Sequence, residues 1–211
     1  MKPIYLIIIG FLLTSSNMKT KDNDSAEQRE FYIAVNELLK MKFTDIAVVR
    51  LETKPIRKSV SQTIKDLDSL DIILPPPPID YIVYSKDFFN SLVDNYTLDS
   101  VDAFFIYNNI DSTTIYDIDT KNINLPTIRK DKLDSFFISN DAQKGYDSIE
   151  EIYGSSGLVT FSTPLFNNVR TKMIISVNYQ CGGECGEGHI FILSKQNNNW
   201  TIIQDIIKWV S

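Results

Sequence analysis

The chain has 211 residues, 43% hydrophobic and 23% charged, which argues against wholesale disorder and allows one domain with a sizeable core. Its formal net charge of −6 repels phosphate backbones. Its densest basic stretches, 54–58 and 129–132, are too short to reverse that locally, so the composition argues against a nucleic-acid partner.

Met1 and Lys2 precede a short apolar run, 4–13, and then Thr14, Ser15, Ser16 and Asn17. One positive charge, an apolar segment and a small polar tail are the anatomy of a secretory signal peptide. The run falls short of the roughly 20 residues that span a bilayer. The reading is a signal peptide over 1–17, a flexible mature N-terminus over 18–24, and a single domain over 25–211. The mature chain then has no transmembrane span and is periplasmic or secreted. No cysteine lies near the cleavage region, so it is not a lipoprotein.

Residues 26–42 place Phe31, Ala34, Val35, Leu38 and Leu39 at helical spacing, opened by a Ser25/Gln28 capping box. Residues 45–51 are a β-branched run and predict a strand. Residues 59–70 fit a second helix with Val60, Ile64 and Leu67 on one face. The four prolines 75–78 break both patterns and read as a rigid internal spacer. Residues 81–84 suggest an extended piece. Ser85 then caps a helix carrying Phe88, Phe89, Leu92 and Val93. Ser100 is expected to cap another, with Val101, Phe104, Phe105 and Ile110 inward. Over 111–156 the pattern is weak: 113–116 extended, 131–138 a short helix, 140–145 a loop.

The last third is clearer. Residues 157–162 predict a strand. Residues 171–180 alternate, with Met173, Ile175, Val177 and Tyr179 toward a core and Lys172, Ser176, Asn178 and Gln180 away from it. Residues 189–195 form a third strand, 197–199 a turn, and 200–209 a last strand. The expected class is α+β, with N-terminal helices packed on a C-terminal antiparallel β-meander.

Between two of these strands lies Cys181-Gly-Gly-Glu-Cys-Gly-Glu-Gly-His189, with both cysteines, the only histidine and four of the eight glycines. In an oxidising compartment, Cys181 and Cys185 read as a disulfide, since no odd cysteine is left over. So small a ring stabilises by only ~2 kcal/mol, so the bridge rigidifies the loop more than it holds the fold. Glu184, Glu187 and His189 make this the candidate functional loop. Cys181, Cys185 and His189 with either glutamate are also ligand types for zinc, but no second cysteine pair follows the first. Redox chemistry would need two intervening residues at a helix N-terminus, and here there are three between strands. A Cys–His nucleophile pair is a further alternative, although His189 heads a strand and a lone histidine there is more often a surface or cap residue. No nucleophile elbow, phosphate loop, dinucleotide fingerprint or His-Glu-x-x-His motif is present. Asp111, Asp117 and Asp119 do not match a calcium loop. No cofactor or metal is implied, and no catalytic residue is assigned.

Three stretches of this third, Phe161-Ser-Thr-Pro-Leu-Phe166, Cys181-Gly-Gly-Glu-Cys-Gly-Glu-Gly188 and Trp209-Val-Ser211, form a pattern. It resembles a group of uncharacterised exported bacterial proteins that share Ser-x-Pro-x-Phe, Cys-Gly-x-x-Cys-Gly-x-Gly and a terminal Trp-hydrophobic-Ser. The resemblance implies export and supplies no activity. The expectation is an exported, non-catalytic binding or envelope-associated protein that meets an unidentified protein or small ligand. The alternative is an enzyme, metal or redox site built on Cys181, Cys185 and His189.

Overall fold

The computed structural model describes residues 25–43, 48–59, 82–111, 115–138, 141–155 and 157–211. The expected signal peptide over 1–17, the expected helix over 59–70 beyond its first residue, and the proline spacer lie outside them; Ser59 itself is not helical. The elements are α1 (Ser25–Lys42), β1 (Val48–Arg50), β2 (Ile56–Lys58), β3 (Ile82–Tyr84), α2 (Lys86–Asp94), α3 (Ser100–Asn108), β4 (Thr127–Ile128), α4 (Lys130–Phe136), α5 (Ala142–Tyr153), β5 (Leu158–Phe161), β6 (Leu165–Phe166), β7 (Lys172–Gly182), β8 (Cys185–Gln196) and β9 (Asn199–Val210).

The class is α+β. One sheet runs β4-β1-β5-β7-β8-β9, with β6 also paired to β7, and β2 and β3 form a separate parallel pair. The long strands β7, β8 and β9 are antiparallel in chain order. The sheet as a whole is mixed, because β1 enters parallel between β4 and β5. Helices cover both faces. On one, Phe31, Val35 and Leu38 of α1 share a core with Val159, Met173, Ile175 and Phe191. On the other, α2 and α3 cover Ile174, Ile190 and Ile192, while α4 and α5 cover Val48, Ile128 and Leu158. Among the described residues no helix is long and apolar enough to cross a membrane.

This double cover corrects the reading of β7. Met173, Ile175 and Val177 do face a core, but Ile174 and Ser176 on the opposite side are buried too. Ser176 is tolerated there because its N–H donates to Ser162 Oγ at 2.9 Å and its hydroxyl donates to the His189 carbonyl at 3.1 Å.

Ser85 caps α2 as expected, accepting from the Phe88 N–H at 3.1 Å. At α3 the cap is Asp99, one residue earlier than expected, and the inward face differs. Ala103, Ile106 and Ile110 are buried, whereas Val101 is 75% and Phe104 73% exposed. This helix is apolar around most of its circumference, so spacing alone does not choose a face. Most of the expected loop over 140–145 belongs to α5, which starts at an Asp141 cap and stops at Gly154 in the left-handed region, φ 80°. That pair of signals outweighs the internal Gly145, which lies under the Phe137 ring with no room for a Cβ.

Candidate functional site

The cysteine loop is the tip of the β7–β8 hairpin. Gly182 pairs with Cys185, and the register shifts at Cys181, where the bridge crosses. The sulfurs of Cys181 and Cys185 are bonded, with Cα atoms 5.1 Å apart, inside the range a disulfide accepts. Gln143 of α5 braces the tip by accepting the Gly183 N–H at 3.2 Å. Glu184 projects into solvent at the turn.

Gly186 and Gly188 serve a purpose beyond the turn. The indole of Trp209 lies over both, and a Cβ on Gly188 would collide with its Nε1 edge. The indole N–H donates to Asn178 at 3.2 Å, and the Ser211 N–H donates to the Gly186 carbonyl at 2.9 Å. The glycine-rich loop and the terminal Trp-Val-Ser are thus one packed unit.

His189 is no surface or cap residue: it lies inside β8 and is 8% exposed. Nδ1 meets Asp205 Oδ1 at 2.6 Å, and Lys42 Nζ donates to the other Asp205 oxygen at 2.9 Å. Nε2 lies 3.2 Å from Glu187 Oε2, off the line of a directed hydrogen bond, so that contact is ionic in character. The imidazole stacks on Phe191, with the two ring planes nearly parallel and their centroids 5.2 Å apart. Burial opposes charge on His189, but the hydrogen bond to Asp205 and the negative charges of Asp205 and Glu187 outweigh it and raise the pKa above the usual 6.5. Burial likewise works against the Asp205 carboxylate, yet His189 and Lys42 hold its pKa below the usual value.

These contacts leave little for chemistry. The thiols are bonded to each other, and both imidazole nitrogens face carboxylates on opposite edges of the ring. Among the described residues, no three or more His, Cys, Asp and Glu side chains are grouped to hold a metal ion.

Openings lie at the other end of the strands. There the N-terminal turns of α1, the C-terminal end of α3, the β6–β7 turn and the β8–β9 turn converge. One cavity of about 460 Å³ is lined by Ala26, Glu30, Val169, Arg170, Thr171, Lys195, Asn197 and Asn198. A second, of about 230 Å³, has Phe105, Pro164, Leu165 and Phe166 as apolar walls, with Glu27, Asn109, Asn168 and Arg170 among its polar ones. Arg170 lines both. It sits in the left-handed region at φ 55°, as do Asn197 and Asn198 at 49° and 66°, so both turns are tight.

Distant pairs tie this end together. Lys195 Nζ donates to Glu30 Oε1 at 2.7 Å, and the Trp200 indole N–H donates to Oε2 at 3.1 Å. Burial opposes the Glu30 charge, but these two donors and the Lys195 charge bring its pKa below the usual value. Asn167 donates to Asp102 at 3.0 Å and accepts two backbone N–H groups of its own turn, binding α3 to that turn. Tyr116 donates its hydroxyl to Glu27 Oε1. Burial first, then that bond and the Glu27 charge, raise the Tyr116 pKa well above the phenol range. The Arg170 guanidinium stands 4.0 Å from Glu27 Oε2.

Cys181, Cys185, Glu184, Glu187 and His189 therefore share one end, but only Glu184 is open to solvent without an internal role. Sequence reading missed Glu27, Glu30, Arg170 and Lys195. No local motif links them, because they come from segments more than 140 residues apart on one side and two hairpin turns on the other. The chain matches no family model, no curated protein and no solved structure.

Proposed function

We propose that the protein is exported and acts by binding a small ligand rather than by catalysis, with the ligand held at the cavity end. The observation that carries this is where the fold leaves open space beside charged groups. At the disulfide end the thiols, His189 and Asp205 answer one another. At the far end, adjoining cavities meet at Arg170 between charged and apolar walls, the usual make-up of a ligand site. The signal-like N-terminus and the bonded cysteines support an exported, oxidising setting.

The alternative, chemistry at Cys181, Cys185 and His189, has one favourable observation. The 2.6 Å contact of Nδ1 with Asp205 is the bond that orients a catalytic base. In such a base Nε2 meets a nucleophile, whereas here it meets Glu187.

Native mass spectrometry of protein isolated from the exported fraction of its host tests the binding reading. A small non-covalent adduct is expected on the wild type and on Glu184→Ser, and is expected to be lost in Asn109→Trp, which fills the smaller cavity. No adduct, or one lost in Glu184→Ser instead, overturns the reading. Cytoplasmic protein with Met1 intact overturns the export part.

A further inference from the structure

The smaller cavity has a chemistry that narrows its ligand. Its one pair of opposite charges, Glu27 and Arg170, lies 4.0 Å apart, so the pair is electrically neutral but dipolar. A simple anion or cation entering there meets one attractive and one repulsive charge at nearly equal distance. A headgroup that holds both charges close together, aligned against the pair, meets two attractive ones. Behind Glu27, Tyr116 takes Oε1, which fixes the carboxylate in place. At the C-cap of α3, the Asn109 amide N–H₂ is held by the Phe105 carbonyl at 2.8 Å, which orients its oxygen as the remaining acceptor. The opposite walls, Phe105, Leu165 and Phe166, carry no polar side chain. Charged groups on one side and apolar walls on the other suit a small molecule that carries both charges beside an apolar chain.

We propose that this cavity binds a free α-amino acid with an apolar side chain. Its ammonium lies on Glu27, its carboxylate on Arg170, and its side chain against Phe105 and Phe166. The inference rests on the binding reading above and names the ligand class for the same site.

Isothermal titration calorimetry on the dialysed mature protein tests it with three probes: L-leucine, N-acetyl-L-leucine, which lacks the ammonium, and L-leucinamide, which lacks the carboxylate. Leucine is expected to bind, and each blocked analogue to bind about tenfold more weakly or worse, the worth of one charge-assisted hydrogen bond. Glu27→Gln should erase the preference over the acetylated analogue. Arg170→Asn, chosen because asparagine accepts the left-handed backbone, should erase the preference over the amide. If either variant fails to melt cooperatively, the three probes on the wild type decide alone. Equal binding of all three overturns the headgroup assignment. Absence of leucine binding while the native adduct persists overturns the amino-acid class and leaves the binding reading intact. Absence of both overturns both.

Discussion

Both ends of the β7–β8–β9 ribbon carry ion pairs, but the two ends are assembled differently. At the disulfide end Cys181 meets Cys185, and Glu187, His189 and Asp205 meet across neighbouring strands, with Lys42 of α1 closing on Asp205 from outside the ribbon. Side chains on adjacent strands stand in fixed register, so they pack without gaps and the end closes on itself. At the cavity end Glu30 meets Lys195, Glu27 meets Arg170 and Asp102 meets Asn167. Those partners come from the starts of two helices, the β6–β7 turn and the last residues of β8, which no common ladder aligns. Bridging such elements leaves space between them. The residues that draw the eye in the sequence therefore build the closed end, and the open end is built from residues that look ordinary.

The contrast breaks most visibly if the cavity end loses its buried anchor. Replacing Glu30 with Ala leaves the Lys195 ammonium and the Trp200 N–H without their acceptor in a site where Glu30 is 9% exposed. The expected cost is about 3 kcal/mol, against about 1 kcal/mol for Glu30→Gln, which keeps an acceptor oxygen. Chemical denaturation of the two variants checks this. Equal small losses would mean that the start of α1 is held by its apolar face alone.

At the closed end the effect is smaller but carries a pH signature. The His189 pKa is raised above 6.5 in the fold, so the protonated ring stabilises the native state. That contribution is complete below 6.5 and is lost as pH rises through the folded value. The depressed Asp205 pKa works in the other direction: its contribution is present above 3.8 and is lost as pH falls through the folded value. His189→Gln is therefore expected to cost about 2 kcal/mol near pH 6, with the gap from wild type narrowing as pH climbs. Denaturant midpoints of both proteins from about pH 5.5 to 9 check the sign. A gap that widens with pH would show that the neutral imidazole is the form the fold prefers.

Much of the fold is legible in the chain, and the misses have physical causes. The Ser85 cap and the run from Phe88 to Val93 place α2, and Asn197 and Asn198 mark the β8–β9 turn, because these signals are local. The α3 face is not legible, since its apolar residues surround the helix and only the sheet decides which are covered. Alternation alone assigns the second side of β7 to solvent, because Ser176 and Asn178 are polar. Ser176 is in fact covered by a second helix layer, which strand alternation cannot report. The disulfide follows from counting cysteines, but the pairing of His189 with Asp205 depends on a β8–β9 register that contains two irregularities. Glu27 and Arg170 leave no trace at all, because only the finished fold brings α1 beside the β6–β7 turn.

The smallest expected effect concerns the bridge itself, and it separates closure by covalent bond from closure by packing. Trp209 over Gly186 and Gly188, its bond to Asn178, and the Ser211 bond to Gly186 all hold the hairpin without involving sulfur. The ring closed by Cys181 and Cys185 is short, and the chain-entropy model gives such a ring at most ~2 kcal/mol. Reduction is therefore expected to lower stability by no more than that, and to leave the protein folded. Hydrogen exchange should quicken at the Gly183 and Glu184 amides and stay unchanged at Trp200 and Thr201, which lie at the other end of β9. Global unfolding on reduction would mean that the bridge, rather than Trp209, closes this end. Faster exchange at Trp200 would mean that the two ends are mechanically coupled through β9, and a ligand bound at the cavities would then be sensed at the disulfide.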